Sequence, residues 1–287
     1  MQNSRLIALL VFSMLLWGGG WSALKILTNT AEIEVILFWR FFLMSISFIP
    51  ILIYLKQPII LSKASLKYVL SSSILNVAFM VSSFYGIKYG TAGAGGVIIT
   101  TLAPIMTFLL VYIVFRKKLN FYQVLGLLIG LVGGFIMLEL SDFSLFLNGS
   151  NIYFLYCAII WAGVTMLSQH SNKHIHPVNY SFIISVFATI VTFIYGYSSG
   201  LGSVFTQSTE FWIALVYLAV FGQSIATTIY FIASAKLGSQ VTSSFMFLVP
   251  LFAILIAWLL LNESVELHIL IGGTLSILAV YFINKNN

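Results

Sequence analysis

The sequence predicts an all-α integral membrane protein: ten transmembrane helices laid out as two five-helix repeats in inverted orientation. Three observations lead there. The chain is too apolar for water, its apolar runs divide into ten helix-length segments, and its second half repeats landmarks of its first.

The 287 residues are 60% hydrophobic and 7% charged, with a mean hydropathy of +1.06. A soluble domain carries about a quarter charged residues, and so few polar groups would not cover a water-facing surface. The net charge of +6 reads as cytoplasmic loops facing anionic lipid headgroups, with no nucleic-acid partner. One cysteine, Cys157, excludes an intramolecular disulfide and a thiolate metal cage. The apolar run from Leu6 carries Trp17 and Trp21 and has no small-x-small cleavage pattern. It is therefore read as an uncleaved first membrane helix.

A helix needs roughly 20 apolar residues to span the hydrocarbon core. By that measure the chain divides into helices at about 5–26, 33–55, 65–88, 91–115, 121–140, 150–170, 177–198, 209–235, 239–262 and 265–284. Charge supports the division. With the N-terminus cytoplasmic, Arg5, Lys56, Lys63, Lys67, Arg116, Lys117, Lys118, Lys173, Lys236 and Lys285 all fall inside. Only Lys25 and Lys88 fall outside, near helix ends, as the positive-inside rule requires. The acids Glu32, Glu34, Glu139, Asp142, Glu210, Glu263 and Glu266 all fall on the outer side. Miscounting by one helix would scramble this segregation, so both termini are expected in the cytoplasm.

The halves, 1–144 and 145–287, share an ordered set of landmarks. Pro104 to Gly126 and Pro250 to Gly272 are each 22 residues apart. Upstream, Trp17 in LLWGGG pairs with Trp161 in IIWAGV, 144 residues later. Five helices is an odd number, so the second half enters the membrane the other way up. Arg116, Lys117 and Lys118 follow helix four inside, whereas Glu263 and Glu266 follow helix nine outside. Inverted repeats recur in transporters, with the substrate site near the midplane between the halves.

These landmarks, with the Gly-rich fifth and tenth helices and Asn262–Glu263 leading to Gly272, resemble the drug/metabolite transporter superfamily in its EamA branch. The first half departs from the pattern, with Lys117 where the acid would fall. The resemblance implies export of small metabolites, amino acids or related amphipathic compounds among them, across the bacterial inner (cytoplasmic) membrane.

An unpaired amide in the bilayer core costs about 2–7 kcal/mol, so intramembrane polar groups face a neighbour helix or a wet cavity. Asn76 and Gln223 lie near the middles of helices three and eight, 147 residues apart, and read as pseudo-symmetry mates. Ser72, Phe79 and Ser83 recur around the first at helical spacing; Thr227, Tyr230 and Ser234 recur around the second. The stripes either line a substrate cavity or serve as interhelical glue. Pro104 and Pro250 free the carbonyls of Thr100 and Met246, making each a hinge or a static kink. Trp17 and Trp161 lie deep and either wall a substrate or fill the core. Arg40, eight residues into helix two, either snorkels to the interface or presents a cation to a carboxylate. Glu263 has a capping reading beside the one the resemblance implies.

Gly126, Gly130 and Gly134 form a GxxxGxxxG stripe that packs helix five within its own bundle or makes a dimer seam, leaving monomer and homodimer both open. Gly18–Gly20 and Gly93, Gly95 and Gly96 lack a phosphate-loop context. His170, His174 and His176 read as a solvated loop and His268 as isolated, so no metal site and no cofactor is expected. No nucleophile, acid pair or metal cluster lies at membrane depth, which argues against an enzyme. The expected function is alternating-access export of a small-molecule substrate. Uptake or facilitated diffusion, and a non-transporting sensor or structural protein, are the alternatives. No Asp or Glu falls in mid-span; facilitated diffusion and coupling through Glu263 or a substrate charge both stay open. The residues expected to touch substrate are Asn76, Gln223, Tyr230, Thr100, Trp17, Trp161, Ser83, Thr227 and Arg40.

Overall fold

The computed structural model describes residues 2–139, 149–261 and 266–285. The described chain is helical, with no strand, and has helices wherever the apolar runs predict them. These are α1 (Gln2–Thr30), α2 (Ile33–Tyr54), α3 (Lys63–Tyr89), α4 (Ala92–Phe115) and α5 (Phe121–Met137). The second half has α6 (Asn151–Ser171), α7 (Pro177–Gly196), α8 (Thr209–Leu237), α9 (239–261) and α10 (Leu267–Asn284). Among the described residues, nine helices are long and apolar enough to cross a membrane. The exception is α5, with 17 residues; at about 1.5 Å per residue it reaches about 25 Å. Asp142, Asn262 and Glu263 lie outside the described residues.

Local chemistry sets the helix ends. Ser62 and Ser65 form a capping box that opens α3, and Asn120 and Gln123 form another that opens α5. Thr91 and Ser208 cap α4 and α8 through their hydroxyls. The His176 ring accepts from the Val178 N–H, and Pro177 follows at the first helical position of α7, where its missing N–H costs nothing. Arg116 turns left-handed (φ 55°) to end α4, and Gly238 (φ 89°) makes the break between α8 and α9.

The packing has a regular exchange pattern. In α1 the contacts run to α8 and α9 of the other half; in α6 they run to α3 and α4. Across the middle α2 packs on α7, and α5 packs along α10. Swapping each helix for the one five places on therefore returns the same set of pairs.

The α5–α10 seam depends on small residues. A methyl group added at Gly126 would lie 2.6 Å from the Ile283 side chain and 2.8 Å from the Ala279 carbonyl. Next along the stripe, Gly130 faces Phe247 of α9 and Gly134 faces Thr101 of α4. All three glycines of GxxxGxxxG thus meet neighbours in the same chain. The core at the centre of the bundle holds fully buried Phe41, Phe84, Phe154, Tyr180 and Tyr230.

Candidate functional site

A cavity of about 70 Å³ lies where α1, α2, α3, α4, α6, α8 and α9 converge. Both halves contribute walls. Ligand pockets usually enclose roughly 300–1,000 Å³, so this one is small. Among the described residues α5 and α10 contribute nothing to it, as scaffold helices would not. Among the described residues α7, which packs on α2 and α3, also contributes nothing.

The walls are aromatic. Trp17 and Trp161 meet edge to face with ring centroids 5.3 Å apart, and Phe79 packs on Trp161 at 5.0 Å. Trp21 also lines the cavity; it sits at the turn of α1 facing Gly96 of α4. The polar lining consists of Arg40, Ser83, Thr100 and Gln223. The Thr100 hydroxyl donates to the Gly96 carbonyl at 2.5 Å, and Ser83 Oγ lies 3.3 Å from the Cys157 sulfur.

Of the nine residues expected to touch substrate, Gln223, Thr100, Trp17, Trp161, Ser83 and Arg40 line the cavity. The other three do not line it. The Tyr230 ring backs Trp17 at 5.0 Å, and its hydroxyl lies 3.0 Å from Thr165 Oγ1. Thr227 donates to Gln223 Oε1 at 2.8 Å and so holds the amide from behind. Asn76 is buried and donates to the Ser72 carbonyl at 2.8 Å, within its own helix.

The feature the sequence does not announce is in α8. Residues Tyr217–Thr227 wind as a π-helix, a wide turn common at functional sites. Elsewhere buried hydroxyls reach three or four residues back within their own helix, as Ser168 does to Thr165 and Thr165 to Trp161. Here Ser224 and Thr227 reach five back, to Ala219 and Gly222, in step with the wider pitch. The π-helix is tied to α1 by two bonds: Trp17 Nε1 donates to the Gly222 carbonyl at 2.9 Å, and the Tyr217 hydroxyl donates to the Leu16 carbonyl at 2.8 Å. Gly19 makes room for the second bond, since a methyl group there would lie 2.5 Å from the Tyr217 oxygen. The Gly18–Gly20 run is thus a helix-crossing device.

The two mid-helix prolines behave differently. Pro104 sits inside a continuous α4. Ahead of Pro250 the chain tightens into a 3-10 turn, Phe245–Leu248, and α-helix resumes at Val249, leaving Pro250 in a first turn, where proline is tolerated. Met246 and Val249 from this joint line the cavity.

Near the ends of α4, α6 and α8 a second space of about 370 Å³ is lined by Lys117, Gln169, His170 and Gln240 among others. The His170 ring stacks on Phe115 at 4.6 Å and the His174 ring on Tyr68 at 5.5 Å. They join no metal-ligating group among the described residues. The sequence reading of His268 is corrected: the α5–α10 packing brings its Nδ1 within 3.3 Å of both Glu139 and Glu266. The two carboxylates come from helix ends far apart in sequence, so no local pattern reveals the trio.

The sequence model described as the EamA-like transporter family matches twice, over residues 4–139 and 149–285. An uncharacterized transporter of Bacillus subtilis, YoaV, is 23% identical over 273 residues, covering 91% of this chain and 90% of the relative. An uncharacterized transporter of Archaeoglobus fulgidus is 25% identical over 291 residues, covering 98% and 97%. One solved crystal structure superposes with a TM-score of 0.80 at 15% identity and covers 98% of both chains, a likeness of fold alone.

Proposed function

We propose, because this chain belongs to the EamA-like transporter family, that it exports small amphipathic metabolites across the bacterial cytoplasmic membrane by alternating access. It is a multi-pass membrane protein whose relatives are transporters. In this reading all ten helices cross the bilayer as two inverted halves, 1–144 and 145–287, with both termini in the cytoplasm. The exchange pattern of helix pairs supports the two-fold relation, and the segregation of charge supports the orientation.

The observation that carries the proposal is the small central cavity, walled by tryptophans of both halves and fitted with a few polar groups. At about 70 Å³ it holds a few water molecules and no metabolite, so transport requires the halves to part. The Pro250 joint and the π-turn of α8 lie on its wall and serve as the places where α9 and α8 bend. The 370 Å³ space beside Lys117 and His170, shared among α4, α6, α8 and α9, is the cytoplasmic mouth. Among the described residues no Asp or Glu lines the cavity, which favours a carrier driven by the substrate's own gradient or charge over proton antiport.

The test compares metabolites in medium and cell extract from bacteria producing wild type or Gln223→Ala at equal membrane levels. A compound that accumulates outside only with wild type supports export. A compound depleted from the medium by wild type reverses the direction. No difference under several growth conditions contradicts transport through this cavity.

A further inference from the structure

Arg40 is 4% exposed and lines the central cavity. It stands seven residues on from the start of α2, about 10 Å along the helix at 1.5 Å per residue. Its Nε and Nη1 are enclosed, and neither has a hydrogen-bond partner. No acid pairs with it among the described residues: the ion pairs there involve only His268. On the same helix, Glu34 accepts from the Tyr195 hydroxyl at 3.2 Å, and Glu32 stands at the N-cap. A guanidinium keeps its charge in proteins and presents five donors in a fixed fork. An unpaired charge withdrawn from water is costly, so an intramembrane arginine faces a partner or a water-filled cavity and marks a substrate path.

The cavity supplies the rest of a recognition site. Flat apolar walls come from Trp17, Trp21, Trp161 and Phe79, and Gln223 offers an amide. Among the described residues the cavity lining has one cation and no carboxylate ready for an ammonium group. We infer that the substrate is an organic monoanion, a single carboxylate on a flat apolar body with no free ammonium group. Arg40 grips the carboxylate through paired N–H donors while the tryptophans hold the body. A dianion would leave one charge unmatched. A zwitterionic amino acid would bring an ammonium group into a site whose counter-charges are only aromatic faces. This inference rests on the proposal that the cavity is the transport site.

Three compounds with one ring and different charge decide it: hydrocinnamate, phenylalanine and phenethylamine. Each is titrated against the purified full-length protein, with tryptophan fluorescence as the readout. Wild type is expected to bind hydrocinnamate at least about tenfold more tightly than either amine-bearing compound. Arg40→Gln is expected to lose that preference and Arg40→Lys to keep most of it, each variant being checked for a single symmetric size-exclusion peak. If Arg40→Gln does not fold, the wild-type ranking and Arg40→Lys still decide. Equal or tighter binding of phenylalanine or phenethylamine overturns the monoanion assignment and leaves the cavity as the site, with cation–π contact holding the ammonium. An unchanged hydrocinnamate affinity in Arg40→Gln overturns the role of Arg40. Silence from all three compounds overturns the cavity as the site, and the inference with it.

Discussion

The middles of α3 and α8 each carry a side-chain amide, Asn76 and Gln223, and the structure treats the two differently. Asn76 lies in regular α-helix and donates to its own Ser72 carbonyl. Gln223 lies in a π-turn, is held from behind by Thr227, and faces the cavity. One amide is consumed by its helix, and the other is presented. Two halves with matched sequence landmarks therefore build an asymmetric site, and the asymmetry comes from one widened turn that α1 braces through Trp17 and Tyr217.

The largest expected effect separates the two amides. Gln223→Leu is expected to lower transport by at least about tenfold, the loss of one good hydrogen bond made with substrate, with little change in melting temperature. Asn76→Leu is expected to do the reverse: near-normal affinity for substrate with a stability loss of about 1 kcal/mol. Transport kinetics beside thermal melts of the same preparations check both. Equal transport defects would remove the distinction drawn between α3 and α8.

A smaller effect is expected at Thr227. Replacing its hydroxyl, as in Thr227→Val, leaves the Gln223 carbonyl oxygen unpaired and the amide free to turn. The expected outcome is a several-fold rise in KM with kcat nearly unchanged, measured by initial rates in proteoliposomes. The smallest concerns the brace. Trp17→Phe keeps an aromatic wall but removes the N–H that meets the Gly222 carbonyl together with the five-membered ring, so a loss of about 1–2 kcal/mol is expected in chemical denaturation.

Much of this was legible in the sequence, and the remainder was not for identifiable reasons. Helix positions follow from apolar length and polar breaks, so the ranges agree to within a few residues. The deep polar residues Arg40, Thr100 and Gln223 stand out because hydrocarbon tolerates few of their kind. Asn76 shows the limit: helical periodicity puts it on one face with Phe79 and Ser83 but does not give the cavity's depth. The cavity lies nearer the α3–α4 turn, at the level of Phe79, Met80 and Ser83. The π-turn was hidden because it depends on bonds from another helix, made possible by Gly19. The trio of His268, Glu139 and Glu266 was hidden likewise, being assembled by the α5–α10 packing.

The central claim is that this cavity is a wet passage reached in turn from the two sides of the membrane. Its most direct test is the reaction of an impermeant thiol reagent with Thr100→Cys, in a Cys157→Ser background, in sealed vesicles of both orientations. The account predicts modification from either side, at rates that a transported substrate changes, while Asn76→Cys stays unreactive. Protection of Thr100→Cys from both sides, with an exposed Lys118→Cys control fully modified in the matching orientation, would contradict it.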